Sequence, residues 1–222
     1  MRGTRVEIRP SALAHNARLA WQLADGAEVF AMVKANGYGH GLLRAAQAMH
    51  ESVSGLGVAL VEEARALREH GMTLPILVAE GFFDAEELKE AERLSLEVVV
   101  HSQWQVELLL ASPCPVRIWL KVNTGMNRLG FRPDAALQAA AQLRAGGMAP
   151  VGVMSHFACA DVSQDRYSEK QLLIAGQIAE QLMLPLSAAN SAALLRYPQT
   201  RAQRAVSYTH LRCRRHTTCV CR

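Results

Sequence analysis

Val29-Phe-Ala-Met-Val-Lys34-Ala-Asn-Gly-Tyr38-Gly-His40-Gly41 runs five apolar residues into one lysine and then into a loop with three glycines and a tyrosine. An uninterrupted apolar run of that length reads as a strand buried on both faces, the kind that parallel sheets contain. Lys34 therefore stands where a strand gives way to its loop. Two readings of it are open on position alone. It is either a side chain reaching out to water, or an ammonium whose desolvation makes it a usable nucleophile or base. The loop favours the second, because glycines let backbone N–H groups approach a phosphate and Tyr38 adds a hydroxyl donor.

Outward from this stretch the pattern repeats. Arg5–Ile8 alternates like a short strand, and a helix capped by Ser11 runs to about Leu23. After the Lys34 strand come a helix over 42–51, a strand over 55–60, a helix over 61–70, and a strand over 74–79. A helix over 84–94, a strand over 97–100, a helix over 102–110 and a strand over 116–122 follow. The series continues with a helix over 133–144, a strand over 151–154, a helix over 168–182 and a seventh strand from Leu184. Successive βα units of this kind form either an open doubly wound sheet or a (β/α)8 barrel. The unusual residues follow several different strands, as barrel chemistry requires. The expected fold is an α/β TIM-type barrel, incomplete at about seven units, with the eighth strand missing.

Composition limits the function. Half the residues are apolar and a fifth are charged, and no apolar run is long enough to span a bilayer. Met1–Ile8 has no apolar core of a signal peptide, so a cytoplasmic protein is expected. The formal charge of +4 comes from the tail: residues 201–222 hold six arginines and no acid. Residues 1–200 hold 18 basic and 20 acidic residues, which gives nucleic acid no basic face to bind. An odd count of five cysteines argues against a disulfide framework.

The other chemical candidates are short motifs. Lys121-Val-Asn-Thr-Gly-Met-Asn-Arg128-Leu-Gly130 places a lysine and an arginine on one strand-to-loop segment; Arg128 suits a carboxylate or phenolate, though both halves are also turn-prone. His156, in Ser155-His-Phe157, reads as a core histidine or as a platform under a cofactor ring. Asn190 and Ser191 open a helix, as a cap or as an anion site. Cys159-Ala-Asp161 reads as structural, and no metal site is expected. The Gly37–Gly41 loop lacks the GxGxxG spacing, and its lysine precedes the glycines, which excludes a Walker loop. A lysine beside such a loop suits an aldehyde cofactor with a phosphate arm, held covalently.

Together, Val33–Gly41, Lys121–Gly130, Ser155–Ala158 and Ala189–Ala193 resemble the alanine racemase family in order and separation, over roughly residues 4–204. The resemblance implies a fold-type III pyridoxal 5'-phosphate enzyme with an N-terminal barrel, a C-terminal β domain and a head-to-tail homodimer. It implies interconversion of L- and D-alanine by two bases, for peptidoglycan synthesis or alanine catabolism. Lys34 would hold the cofactor and exchange the Cα proton on one face. Tyr38 and Ser191 would hold its phosphate, Asn190 would also bind the cofactor, His156 would lie against its ring, and Arg128 would face its phenolate and the substrate carboxylate. Lys121, carbamylated in many members, would orient Arg128. A non-catalytic pyridoxal-phosphate barrel protein is the alternative.

The resemblance stops near residue 204. The family continues into an Arg-Pro-Gly turn, an apolar strand and the C-terminal domain. Residues 205–222 read instead as a basic, cysteine-rich tail without a strand pattern, such as a shifted reading frame gives. Cys213, His216, Cys219 and Cys221 are its one metal-like cluster, with no small fold around them to close on zinc. A fragment with impaired activity is therefore expected, lacking the acid that the other subunit's C-terminal domain supplies.

Overall fold

In the computed structural model, residues 7–162, 166–200 and 204–208 are described. Their eight strands are all parallel and close in chain order into a barrel: β1 (Glu28–Met32), β2 (Gly55–Val58), β3 (Ile76–Val78), β4 (Glu97–Val100), β5 (Arg117–Lys121), β6 (Gly152–Met154), β7 (Leu186–Ser187) and β8 (Arg204–Tyr208). Seven helices lie outside, one per unit: α3 (Leu42–Met49), α4 (Val61–Glu69), α5 (Ala85–Arg93), α6 (Gln103–Ala111), α7 (Pro133–Ala145), α8 (Tyr167–Leu182) and α9 (Ser191–Arg196). An additional helix, α1 (Pro10–Leu23), precedes β1 and packs on both α3 and α9. It thereby fills the gap in the helical ring between the first unit and the last.

The barrel and its seven βα units are as the alternation predicts. The eighth strand is not missing. Arg204–Tyr208 pairs with β1 at five positions, from Glu28↔Arg204 to Met32↔Tyr208, and with β7 at Ser187↔Arg204. The Val206 N–H also donates to the Ala189 carbonyl at 2.9 Å. This strand crosses the boundary drawn at residue 204, and the reason is tertiary: the N–H and C=O groups of β1 offer an edge that a short segment can pair with whatever its side-chain pattern. Ala205 is fully buried there. At the other end, Glu7 and Ile8 have no strand structure, while residues 5 and 6 of that expected strand lie outside the described residues. Helix α1 begins at Pro10 with Arg9 in the cap position and no side-chain cap bond, so Ser11 is inside the helix. Proline at the first position already fixes a helical φ and has no N–H to satisfy.

The barrel interior is packed. Phe30, Leu77, Val99, Trp119 and Met154 form a cluster of their own inside the strands, while the larger core lies between strands and helices. Glycines make room for the large rings: a Cβ at Gly152 would collide with the Trp119 ring, and Trp119 and Gly152 are register partners. Trp119 cannot swing aside freely, because its indole N–H donates to Glu97 at 2.7 Å and the buried Glu97 also accepts from Arg117 at 3.2 Å. Gly152→Ala is expected to destabilise the chain by about 1–3 kcal/mol, the usual cost of overpacking a tight core. A lowered urea midpoint at unchanged m-value would show it, and an unchanged midpoint would mean that the layer can expand.

Candidate active site

All the unusual residues stand at the C-terminal end of the barrel. Lys34 follows β1, Lys121 ends β5, His156 lies just beyond β6, and Asn190-Ser191 lies beyond β7. Lys34, Lys121, Arg128 and His156 line one open cleft together with Ala79, Ser155, Ser187, Ala188, Ala189 and Val206. Its empty space is about 500 Å³, counted to the open mouth. The four positively charged or ring-bearing candidates are thus brought together, whereas Tyr38, Asn190 and Ser191 are not among the residues that line the cleft.

The Lys34 loop is not the phosphate cradle that its glycines suggest. Ala35 (φ 51°, ψ 54°), Asn36 (55°, 45°) and Gly37 (62°, 36°) are all left-handed, and Tyr38 follows at φ 53°. Ala35–Tyr38 wind one left-handed turn within the short element α2 (Lys34–Tyr38), of which Lys34 itself is not left-handed. Each non-glycine residue in that conformation costs about 1–2 kcal/mol, so the surroundings must hold it. The turn consumes its own amides: Gly37 N–H donates to Val33, Gly39 to Ala35 and Asn36, His40 to Gly37 and Gly41 to Asn36. The Asn36 side chain accepts from Leu42 N–H at 2.9 Å, which joins the turn to α3. Its glycines thus serve backbone shape. A Cβ on Gly37 would also press on Ala45 at 3.0 Å.

The second loop is built around Asn123. Its side-chain oxygen accepts from Gly125 and Asn127 N–H, each at 3.0 Å, and its amide donates to the Asn127 side chain. Phe131 N–H donates to Lys121 carbonyl and Asn123 N–H to Phe131 carbonyl, so the loop returns to its own strand with Arg128 at the mouth. The turn-prone reading and the binding reading of this motif are therefore compatible: the turn presents the guanidinium.

Beneath lies a polar network that the sequence reading missed. Gln171 on α8 is fully buried, donates to the His156 carbonyl (3.1 Å) and Thr124 hydroxyl (3.2 Å), and accepts from Ala158 N–H (2.9 Å). Thr124 and Ser155 hydroxyls share a bond of 2.8 Å, and Ser155 donates to the Val122 carbonyl. One amide on a helix thus ties the Arg128 loop to the His156 segment. No sequence spacing marks it, since Gln171 is an unremarkable polar residue until it is seen buried. Asn190 is the N-cap of α9, accepting from Ala193 N–H at 3.0 Å, and its amide donates to the Phe157 carbonyl at 3.4 Å. The cap role is thus realised and occupies its side chain. Ser191 beside it is buried.

Among the described residues, no carboxylate forms an ion pair with Lys34, Lys121 or Arg128. Burial lowers the Lys121 pKa to about 8, helped by the positive charges of Arg128 and Lys34. Burial likewise holds His156 down to about 3, with Lys121, Arg128 and Lys34 adding to the effect. The site is a concentration of positive charge around a neutral imidazole, suited to a multiply anionic ligand with an aromatic face. No group of three or more His, Cys, Asp or Glu side chains able to hold a metal occurs among the described residues, and the cluster at 213–221 lies outside them. Nor is any helix there long and apolar enough to cross a membrane.

The His156 shift carries a stability consequence. Its folded pKa lies below the unfolded value near 6.5, so the unfolded chain binds the proton that the folded chain refuses. Stability therefore falls as pH drops from about 6.5 toward 3. Glu90, held at about 2 by bonds to Arg93 and Arg65, adds a similar loss only below the ordinary glutamate value of 4.5. His156→Asn is expected to flatten the dependence between pH 6.5 and 4.5, measured as thermal midpoints across that range. An identical slope in the variant would contradict it.

A family model described as "Alanine racemase, N-terminal domain" matches residues 8–213. The chain is 76% identical over 204 residues to an alanine racemase of Alcanivorax borkumensis, covering 92% of this chain and 58% of that one. It is 41% identical to the alanine racemase of Thioalkalivibrio sulfidiphilus, covering 89% and 56%. Among solved structures, the biosynthetic alanine racemase of Pseudomonas aeruginosa superposes with a TM-score of 0.83 at 37% identity, covering 89% of this chain and 56% of that one. The alanine racemase of Acinetobacter baumannii gives 0.82 at 31% identity, covering 89% and 56%. The chain thus spans somewhat over half the length of the curated relatives it matches.

Proposed function

The chain belongs to the alanine racemase N-terminal domain family, and on that premise we propose that it is the pyridoxal 5'-phosphate-binding barrel of an enzyme that interconverts L- and D-alanine. The observation that carries the proposal is the single cleft lined by Lys34, Lys121, Arg128 and His156. Three cations with no carboxylate paired to them among the described residues fit a phosphorylated, phenolic cofactor and a substrate carboxylate. The cofactor, when bound, supplies the electron sink that stabilises negative charge left at Cα.

The chain's own residues would do the rest. Lys34 would hold the cofactor covalently, and its Nζ would take and return the Cα proton on one face. Arg128 would fix the substrate carboxylate and face the phenolate. His156, neutral across the physiological range, would offer an aromatic face without adding a proton. Tyr38, Ser191 and Asn190 are the phosphate candidates, with Asn190 acting also as the cap of α9. Lys121 would contribute through its lowered pKa: a neutral amine can take up carbon dioxide as a carbamate, which turns a charge that repels Arg128 into one that orients it. The cleft lining holds no tyrosine or carboxylate among the described residues, so the acid for the opposite face would come from a C-terminal region in a homodimer. The proposal extends to a cytoplasmic enzyme acting on free alanine.

The test is direct. The purified chain is incubated with pyridoxal 5'-phosphate, reduced with borohydride and digested. The chain has four lysines, and the label is expected on Lys34 rather than on Lys89, Lys121 or Lys170. A label spread evenly over all four would overturn the reading.

A further inference from the structure

Glu63, the third residue of α4, spends both of its carboxylate oxygens on backbone amides around the Lys34 turn. Its Oε1 accepts from Ala35 N–H at 2.6 Å, and its Oε2 accepts from Ala59 N–H at 2.8 Å and Leu60 N–H at 3.4 Å. Ala59 and Leu60 lie between β2 and α4, whereas Ala35 is the first left-handed residue after Lys34. One side chain therefore bridges two neighbouring βα units at the peptide that carries Lys34.

The placement has chemical content. The Lys34–Ala35 peptide plane sets where the Lys34 side chain leaves the backbone. The left-handed conformation begins immediately after that plane, at Ala35, and L-residues resist it. A charged acceptor gives stronger hydrogen bonds to N–H than a neutral one, and here it acts from a well-anchored helix start. A glutamate at this point also helps cap α4, but capping uses only the Ala59 and Leu60 amides. The bond to Ala35, 28 residues away, is beyond what the helix needs.

We propose that Glu63 is a positioning residue for Lys34: it pins the Ala35 amide so that the lysine amine is directed into the cleft for covalent capture and proton transfer. The inference rests on the reading of Lys34 as the cofactor lysine. Displacing that amine by an ångström is enough to lose a large factor in rate, because reaction needs a near-attack geometry. Glu63 itself is not among the residues that line the cleft.

The experiment compares Glu63→Gln, Glu63→Asp and Glu63→Ala with the unaltered full chain. Three quantities are read: the rate at which pyridoxal 5'-phosphate is trapped on Lys34 by borohydride, deuterium exchange at the Ala35 amide without cofactor, and the thermal midpoint. Glu63→Ala is expected to slow trapping at Lys34 tenfold or more and to deprotect Ala35. The isosteric Glu63→Gln, which keeps one oxygen acceptor, is expected to lie between alanine and the unaltered chain, with its midpoint within a few degrees. Unchanged trapping with a deprotected Ala35 would reduce Glu63 to a structural staple and overturn the proposal. Unchanged trapping with unchanged exchange would overturn it as well. If the unaltered chain itself takes no label on Lys34, the functional reading fails, and the positioning role falls with it. That result is separate from one in which only the Glu63 variants match the parent.

Discussion

Lys34→Ala is expected to leave a folded barrel that no longer retains pyridoxal 5'-phosphate covalently and shows at least a thousandfold less exchange of the alanine Cα proton. The fold should survive because Lys34 is only part-buried and forms no ion pair among the described residues, so alanine leaves neither a large cavity nor an orphaned partner. The left-handed turn after it is built from backbone bonds and from Asn36 and Glu63, which the substitution does not touch. The chemical loss should be large because one amine both holds the cofactor and carries the proton, and a positioned acid–base group alone contributes about 10²–10⁴-fold. Lys121, although depressed to a pKa of about 8, ends β5 and cannot substitute. Circular dichroism and the thermal midpoint would report the fold, and borohydride trapping the attachment. Covalent labelling of Lys121 at the parental rate would refute the assignment.

The second large effect concerns stereochemistry. In deuterium oxide, the 222-residue chain loaded with cofactor is expected to place deuterium on Cα of L-alanine about a hundredfold or more faster than it forms D-alanine. Lys34 takes and returns the proton on one face, and inversion needs an acid on the other, for which the cleft lining among described residues offers no tyrosine or carboxylate. Mass spectrometry of recovered L-alanine against a chiral assay for D-alanine separates the two rates. Equal rates would mean that the second acid lies within this chain. Inversion restored by adding the C-terminal region of a full-length relative would place that acid there, whereas no exchange at all would favour a non-catalytic cofactor barrel.

The parts of this site that were legible in sequence are those fixed by local chemistry. Five apolar residues ending in Lys34 read as a buried strand with a lysine at its exit, and Asn123 to Gly130 read as turn-prone, with Arg128 either on a plain surface turn or presented for binding. What escaped depends on residues meeting across the barrel. Gln171 reveals its role only when burial forces its amide to find Thr124, His156 and Ala158. Glu63 looks like one more acid at a helix start until β1 and β2 are side by side. The eighth strand failed for the opposite reason: Arg204–Tyr208 has little pattern of its own, and the exposed edge of β1 decides its conformation. The glycines after Lys34 misled because the same residue permits both an open amide cradle and a left-handed turn, and only coordinates separate the two.

Helix α1 and strand β8 make the seam of the barrel from opposite ends of the sequence. One edge of β1 pairs early with β2, but the other finds its partner only when residues near 204 exist, so the closing contacts join segments far apart in sequence. Such a topology raises contact order and slows the last folding step. During synthesis, β1 and the α9 side of α1 emerge first and wait, while seven units accumulate behind them. The nascent chain therefore carries an unpaired strand edge until β8 has been made, an edge that a chaperone shielding β1 would protect.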